Sequence, residues 1–103
     1  MKRSVIAASK HALDNINILN HDGGHPRKGS VDLIPIHPIT EESTLEDCAK
    51  IALDIGKELV TSHSELSVFY FGHADLEFKR DLVCRRKELG WFENRKRPPL
   101  RYV

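Results

Sequence analysis

The stretch Ser43-Thr44-Leu45-Glu46-Asp47-Cys48-Ala49-Lys50-Ile51-Ala52-Leu53-Asp54-Ile55-Gly56-Lys57-Glu58-Leu59-Val60, with the segment on either side of it, decides the fold class. Leu45, Cys48, Ala49, Ala52, Ile55 and Leu59 recur at helical spacing and form one apolar face. Ser43, with Glu46 three residues on, makes a capping-box pattern, so a helix is predicted from Thr44 to Val60. Upstream, Val31-Asp32-Leu33-Ile34-Pro35-Ile36 reads as a strand that ends, or has a free edge, at Pro35, whose nitrogen carries no hydrogen. Downstream, Leu66-Ser67-Val68-Phe69-Tyr70-Phe71 is a nearly continuous β-prone run, as in a strand buried on both faces, and Gly72-His73 ends it. A strand-helix-strand unit in one sheet makes its strands parallel, with a right-handed crossover.

Further out, residues 4–20 are predicted helical, with Val5, Ala8, Ala12, Ile16 and Leu19 as the apolar stripe. Asn15, Asn17 and Asn20 weaken its second half, and His21-Asp22-Gly23-Gly24 stops it. A last helix is expected from about Asp75 to Leu89, with Leu76, Val83 and Leu89 inward and Gly90 as its stop. Trp91-Phe92 is expected to dock on the body, and residues 94–103 to form a basic, disordered tail beyond a domain at 1–93. The resulting class is α/β, with three helices on a small sheet of two or three strands. Two strands alone make a poor sheet, so an open edge and self-association through it are expected.

The chain's 103 residues fit one small domain of ordinary globular composition, 40% hydrophobic and 30% charged. The opening Met1-Lys2-Arg3-Ser4-Val5-Ile6-Ala7-Ala8 has a charged start, but its apolar run stops at Ser9-Lys10-His11, too early for a signal core. No apolar run approaches the ~20 residues that span a bilayer. A cytoplasmic protein is therefore expected, with Cys48 and Cys84 as reduced packing thiols. Residues 1–78 hold 7 Lys/Arg and 12 Asp/Glu, whereas residues 79–103 hold 9 and 3. That basic third reads as a solvated helix face and loose tail. It lacks the aromatic platforms and helix signatures that nucleic-acid recognition requires, so neither nucleic acid nor membrane is expected as a partner.

The chemistry-bearing candidate is His25-Pro26-Arg27-Lys28-Gly29-Ser30-Val31-Asp32. Pro26 holds His25 extended on a glycine-flanked loop, and an imidazole suits proton transfer near neutral pH. Arg27 and Lys28 can hold a carboxylate, Arg in a bidentate fork, and Asp32 can orient a neighbouring group. His21, His25 and His37 are spaced poorly for a metal site, and no metal is expected. His11, His63 and His73 read as surface residues.

His25-Pro26-Arg27-x-Gly29-x-x-Asp32 resembles the His-Pro-Arg-Met-Gly-Ala-Leu-Asp segment of formiminotransferases. Glu46-Asp47-Cys48-Ala49, Phe71-Gly72-His73-Ala74 and the run from Arg80 to Glu93 match later blocks in order, over roughly residues 6–93. Lys79 to Phe92 is most similar to stand-alone relatives, the formiminotransferase N-terminal subdomain-containing proteins. The resemblance implies a ferredoxin-like α+β subdomain with its opening strands missing, in a shortened form. It also implies transfer of a formimino group from N-formiminoglutamate to tetrahydrofolate as co-substrate, with His25 as the acid-base residue. In that family the active site lies between this subdomain and a second, C-terminal one, to which nothing after Glu93 is similar. The alternative reading is a non-catalytic module that binds a partner.

Overall fold

The computed structural model describes residues 1–17, 20 and 29–90. Helix α1 runs Lys2–Asn15, α2 runs Leu45–Ser62 and α3 runs Leu82–Glu88, with a single 3₁₀ turn at Gly72–Ala74 between α2 and α3. Among the described residues there is no β-strand. Ser67 forms one isolated bridge. The expected sheet under three helices, and with it the ferredoxin-like class, is therefore corrected to three helices and irregular segments.

The reason lies in what each segment can pair with. Along 33–37 the side chains alternate: Ile34 and Ile36 are half-buried while Leu33, Pro35 and His37 are exposed. That is strand-like patterning without a ladder. Pro35 and Pro38 cannot donate hydrogen bonds, and a lone pair of strands is marginal in water. The segment satisfies its apolar side by packing on α2 instead. Leu66–Phe71, expected to be buried on both faces, buries only Leu66. Ser67 is exposed and Val68 to Phe71 are half-buried. The sheet edge from which self-association is expected is thus absent among the described elements.

The capping box at α2 forms one residue later than the Ser43/Glu46 pattern predicts. Thr44 is the N-cap: its hydroxyl accepts from Asp47 N at 3.1 Å, and its own N–H donates to Asp47 Oδ2 at 3.2 Å. Ser43 is committed to the preceding turn, with its N–H donating to Thr40 O at 3.2 Å and its hydroxyl 3.0 Å from that of Thr40. Thr44's bonds to Asp47 hold that carboxyl below its usual range, as fits a carboxylate at a helix N-terminus. The helix also runs past Val60. Thr61 and Ser62 hydroxyls donate back to the carbonyls of Lys57 and Glu58.

Helix α1 ends earlier than expected, at Asn15, whose side-chain amide donates to His11 O at 2.8 Å; Ile16 follows in extended backbone. An Asn that bonds the backbone of its own helix competes with continuation. The apolar stripe is rotated by one position. Ile6 and Ser9 are buried and Val5 and Leu13 partly so, because two large side chains outweigh alanines at the contact. The core is Ile6, Ile55, Leu59 and Leu66, with Ile34, Ile36, Ile51 and Val68 against it, and Leu59 is fully buried. Burying one such leucine contributes about 1.5–3 kcal/mol. Lys2 Nζ–Asp54 at 3.3 Å and His63 Nε2–Asp14 Oδ1 at 2.8 Å tie α1 to α2 at opposite ends, so His63 is not a plain surface residue.

The helix expected from Asp75 begins only at Leu82. Asp81 is its N-cap, accepting from Cys84 N at 2.7 Å. Residues 72–80 form a loop instead, because Asp75 turns inward and is 5% exposed. Leu76 and Val83, expected inside, are 67% and 54% exposed, and Leu89 is half-buried. Gly90 adopts φ 72° just beyond α3, the left-handed conformation a helix stop uses. Cys48 is buried, but Cys84 is exposed on α3 and does not pack. Trp91-Phe92 and the tail at 94–103 lie outside the described residues. No described helix is long and apolar enough to cross a membrane.

Candidate functional site

His25, Arg27 and Lys28 lie outside the described residues. Of the four predicted site residues, Asp32 is described: it is half-buried and lines a partly open cavity of about 270 Å³. One wall is the face of α2 from Leu45 to Gly56. Opposite it run residues 33–36 and 68–74, and α3 contributes Leu82, Arg85, Arg86 and Leu89. The α2 face is the one the sequence marks as apolar. The cavity is what remains where helix and irregular segments meet without a full sheet between them.

One wall is held by a charged network that the sequence pattern does not announce. Asp75 accepts three hydrogen bonds from Arg80: from the backbone N–H at 3.0 Å, Nε at 2.7 Å and Nη2 at 3.2 Å. Arg80 Nη1 reaches Glu88 Oε2 at 3.1 Å, and Arg85 Nη1 reaches the same oxygen at 3.4 Å. Arg85 Nε donates to Tyr70 O at 2.7 Å, and its guanidinium stands 5.7 Å from the centroid of Phe69. Gly72 N–H donates to Arg80 O at 2.7 Å, closing the loop, and Gly72 takes φ 60° there. The Arg80 guanidinium holds the Asp75 carboxyl far below the usual carboxylate range, and Asp75 in turn raises Arg80. Burial pushes the Tyr70 phenol up. The available signal is the Asp75-to-Arg80 spacing ahead of the Arg80-x-Leu82 block, but a five-residue separation on an assumed helix places the two on different faces.

Among the described residues no three His, Cys, Asp or Glu side chains are grouped as metal ligands. What the described arrangement offers is a largely apolar recess lined also by Asp32, Arg85 and Arg86, with Arg85 held by Tyr70 O and Glu88.

The family pattern described as formiminotransferase domain, N-terminal subdomain, matches residues 1–99. The chain belongs to this family, as the His-Pro-Arg run and the three blocks after it suggest. It is 36% identical over 97 residues to a formiminotransferase cyclodeaminase-like protein of Arabidopsis thaliana, covering 90% of this chain and 30% of that protein. It is also 36% identical over 93 residues to a glutamate formimidoyltransferase of Thermoplasma acidophilum, again covering 90% of this chain and 30% of the relative. A glutamate formimidoyltransferase of Streptococcus pyogenes is 32% identical over 66 residues, which cover 64% of this chain and 21% of that protein. The chain thus spans about 30% of the length of the first two relatives. No solved structure matches it.

Proposed function

We propose that the chain is a reduced-folate-binding, formiminotransferase-like subdomain. Its reaction is transfer of a formimino group from N-formiminoglutamate to tetrahydrofolate. The observation that carries this reading is the family match over residues 1–99, with the His-Pro-Arg run inside it. His25 takes the proton of the folate nitrogen as that nitrogen attacks the formimino carbon, a role worth typically about 10²–10⁴ in rate. Arg27 and Lys28 pair with substrate carboxylates, and Asp32, which lines the cavity, orients a neighbouring group. The glutamate formimidoyltransferase relatives support the transferase chemistry. The chain covers about 30% of the first two relatives, so binding is the activity expected of it alone and turnover that of an assembly completing the site.

Isothermal titration with tetrahydrofolate tests the reading. Saturable heat that His25→Ala or Arg27→Ala weakens, with an unchanged melting profile, supports it. No heat at millimolar ligand overturns it in favour of a non-catalytic interaction module.

A further inference from the structure

We propose that Trp91, the residue that follows the turn at the end of α3, seats its indole in the cavity between α2 and α3. The resident occupant of that cavity is then a segment of the chain itself. This occupancy does not depend on the formimino-transfer reading.

The way α3 ends carries the inference. Leu89 is the C-cap, and Gly90 follows at φ 72°. The Gly90 N–H donates to Lys87 O at 3.1 Å. A left-handed glycine whose N–H meets the carbonyl of the second-last helical residue is half of a Schellman motif. The other half falls to the next residue. Its N–H returns to the carbonyl one position earlier, and its side chain, where apolar, packs on that last turn of helix. The next residue here is Trp91, and the turn it meets carries Arg85 and Arg86. Both line the cavity, as does Leu89. The Trp91 Cα stands about 3.8 Å from that of Gly90, so the motif delivers the indole to the α3 wall with no intervening chain.

Size and lining fit. An apolar cavity of about 150 Å³ is enough to take a benzene ring. The cavity here, about 270 Å³ and partly open, has room for the fused rings of an indole. Its α2 wall presents short side chains at Ala49 and Ala52, so a flat ring can approach the helix closely. On the other side the indole meets Leu82, Leu89 and the methylene stems of the two arginines. No charged group gives up its partner: Arg85 keeps Tyr70 O and Glu88. The open side leaves the indole N–H in reach of water, which a buried tryptophan otherwise has to replace.

Trp91 is the one tryptophan of the chain, so its fluorescence reports its own surroundings. In the full chain the emission is expected to lie to the blue of free N-acetyltryptophanamide and to resist acrylamide quenching. Nuclear Overhauser contacts are expected from the indole to the Ala49 and Ala52 methyls. Ala52→Phe, which takes the room the ring needs, is expected to return emission to that of the free amide. Gly90→Ala, which strains the turn and leaves the cavity intact, is expected to do the same in part, with far-UV circular dichroism retained. Added indole is expected to shift the Ala49 and Ala52 methyls of Trp91→Ala roughly tenfold more readily than those of the parent chain, as an internal competitor implies. Emission and quenching equal to those of the free amide overturn the proposal, as does equal binding of indole by parent and Trp91→Ala. Contacts to Ala49 and Ala52 that appear only where light scattering reports a dimer also overturn it, because Trp91 then fills the cavity of a second copy.

Discussion

Gly56 sits on the buried face of α2, where Tyr70 from the segment after the helix lies across it. A Cβ added at Gly56 would stand 2.9 Å from Tyr70 Cε1 and 3.0 Å from Cζ, and would overlap the phenol oxygen. Ordinary carbon contacts lie near about 3.5–4.0 Å, so the ring must retreat by roughly half an ångström or more. It is poorly placed to do so. The Tyr70 carbonyl is held by Arg85 Nε at 2.7 Å, and its hydroxyl points at Leu53 O, 3.5 Å away. Overpacking of this kind costs about 1–3 kcal/mol. Against it stands the helix gain of alanine over glycine, about 0.8–1.0 kcal/mol. Gly56→Ala is therefore expected to destabilise by about 1 kcal/mol, lowering the midpoint by about 4–8 °C for a domain of this size. With Tyr70→Ala the clash is gone, and the same substitution is expected to stabilise by about 0.8–1.0 kcal/mol. The measurement is a double-mutant cycle from urea unfolding followed by far-UV circular dichroism. A coupling energy of about 1–3 kcal/mol supports the packing of residues 66–71 on α2. Additivity to within about 0.5 kcal/mol would refute it, because distant sites add to that precision.

Leu59→Ala removes the fully buried core side chain and is expected to cost about 2–5 kcal/mol in denaturant unfolding, most of a small domain's reserve. Thr44→Ala is expected to cost about 1 kcal/mol and Ser43→Ala much less; equal costs would return the cap to Ser43. Asp75 is depressed in the folded chain relative to an unfolded aspartate, so its contribution is fully present above the unfolded value near about 3.9 and fades as pH falls toward the lower folded value. Asp75→Asn is accordingly expected to flatten the acid limb of the stability profile while leaving the limb above neutrality unchanged in slope. An acid limb as steep as that of the parent chain would show that other carboxylates carry it.

Local, repeated signals are legible in the amino-acid order itself. The α2 face, from Cys48 to Leu59, follows from spacing alone, and the glycine stop at Gly90 from the backbone freedom it needs. The sequence places α2 to within two residues at each end and the start of α1 equally well, because caps and apolar stripes act over one or two turns, but it carries α1 five residues too far. It also reveals the family, through four blocks in order that the match over residues 1–99 bears out. Choices between competing partners are decided only in the folded chain. Ser43 and Thr44 both offer a capping hydroxyl, and the turn to Thr40 takes Ser43. Residues 31–36 and 66–71 have β-prone composition, but a strand exists only when another strand accepts its ladder, and helix α2 receives their apolar side chains instead. Asp75 looks like one more helix residue in the sequence. Its burial under Arg80, in the loop that replaces the first half of the expected last helix, depends on a guanidinium that only the tertiary structure brings to it.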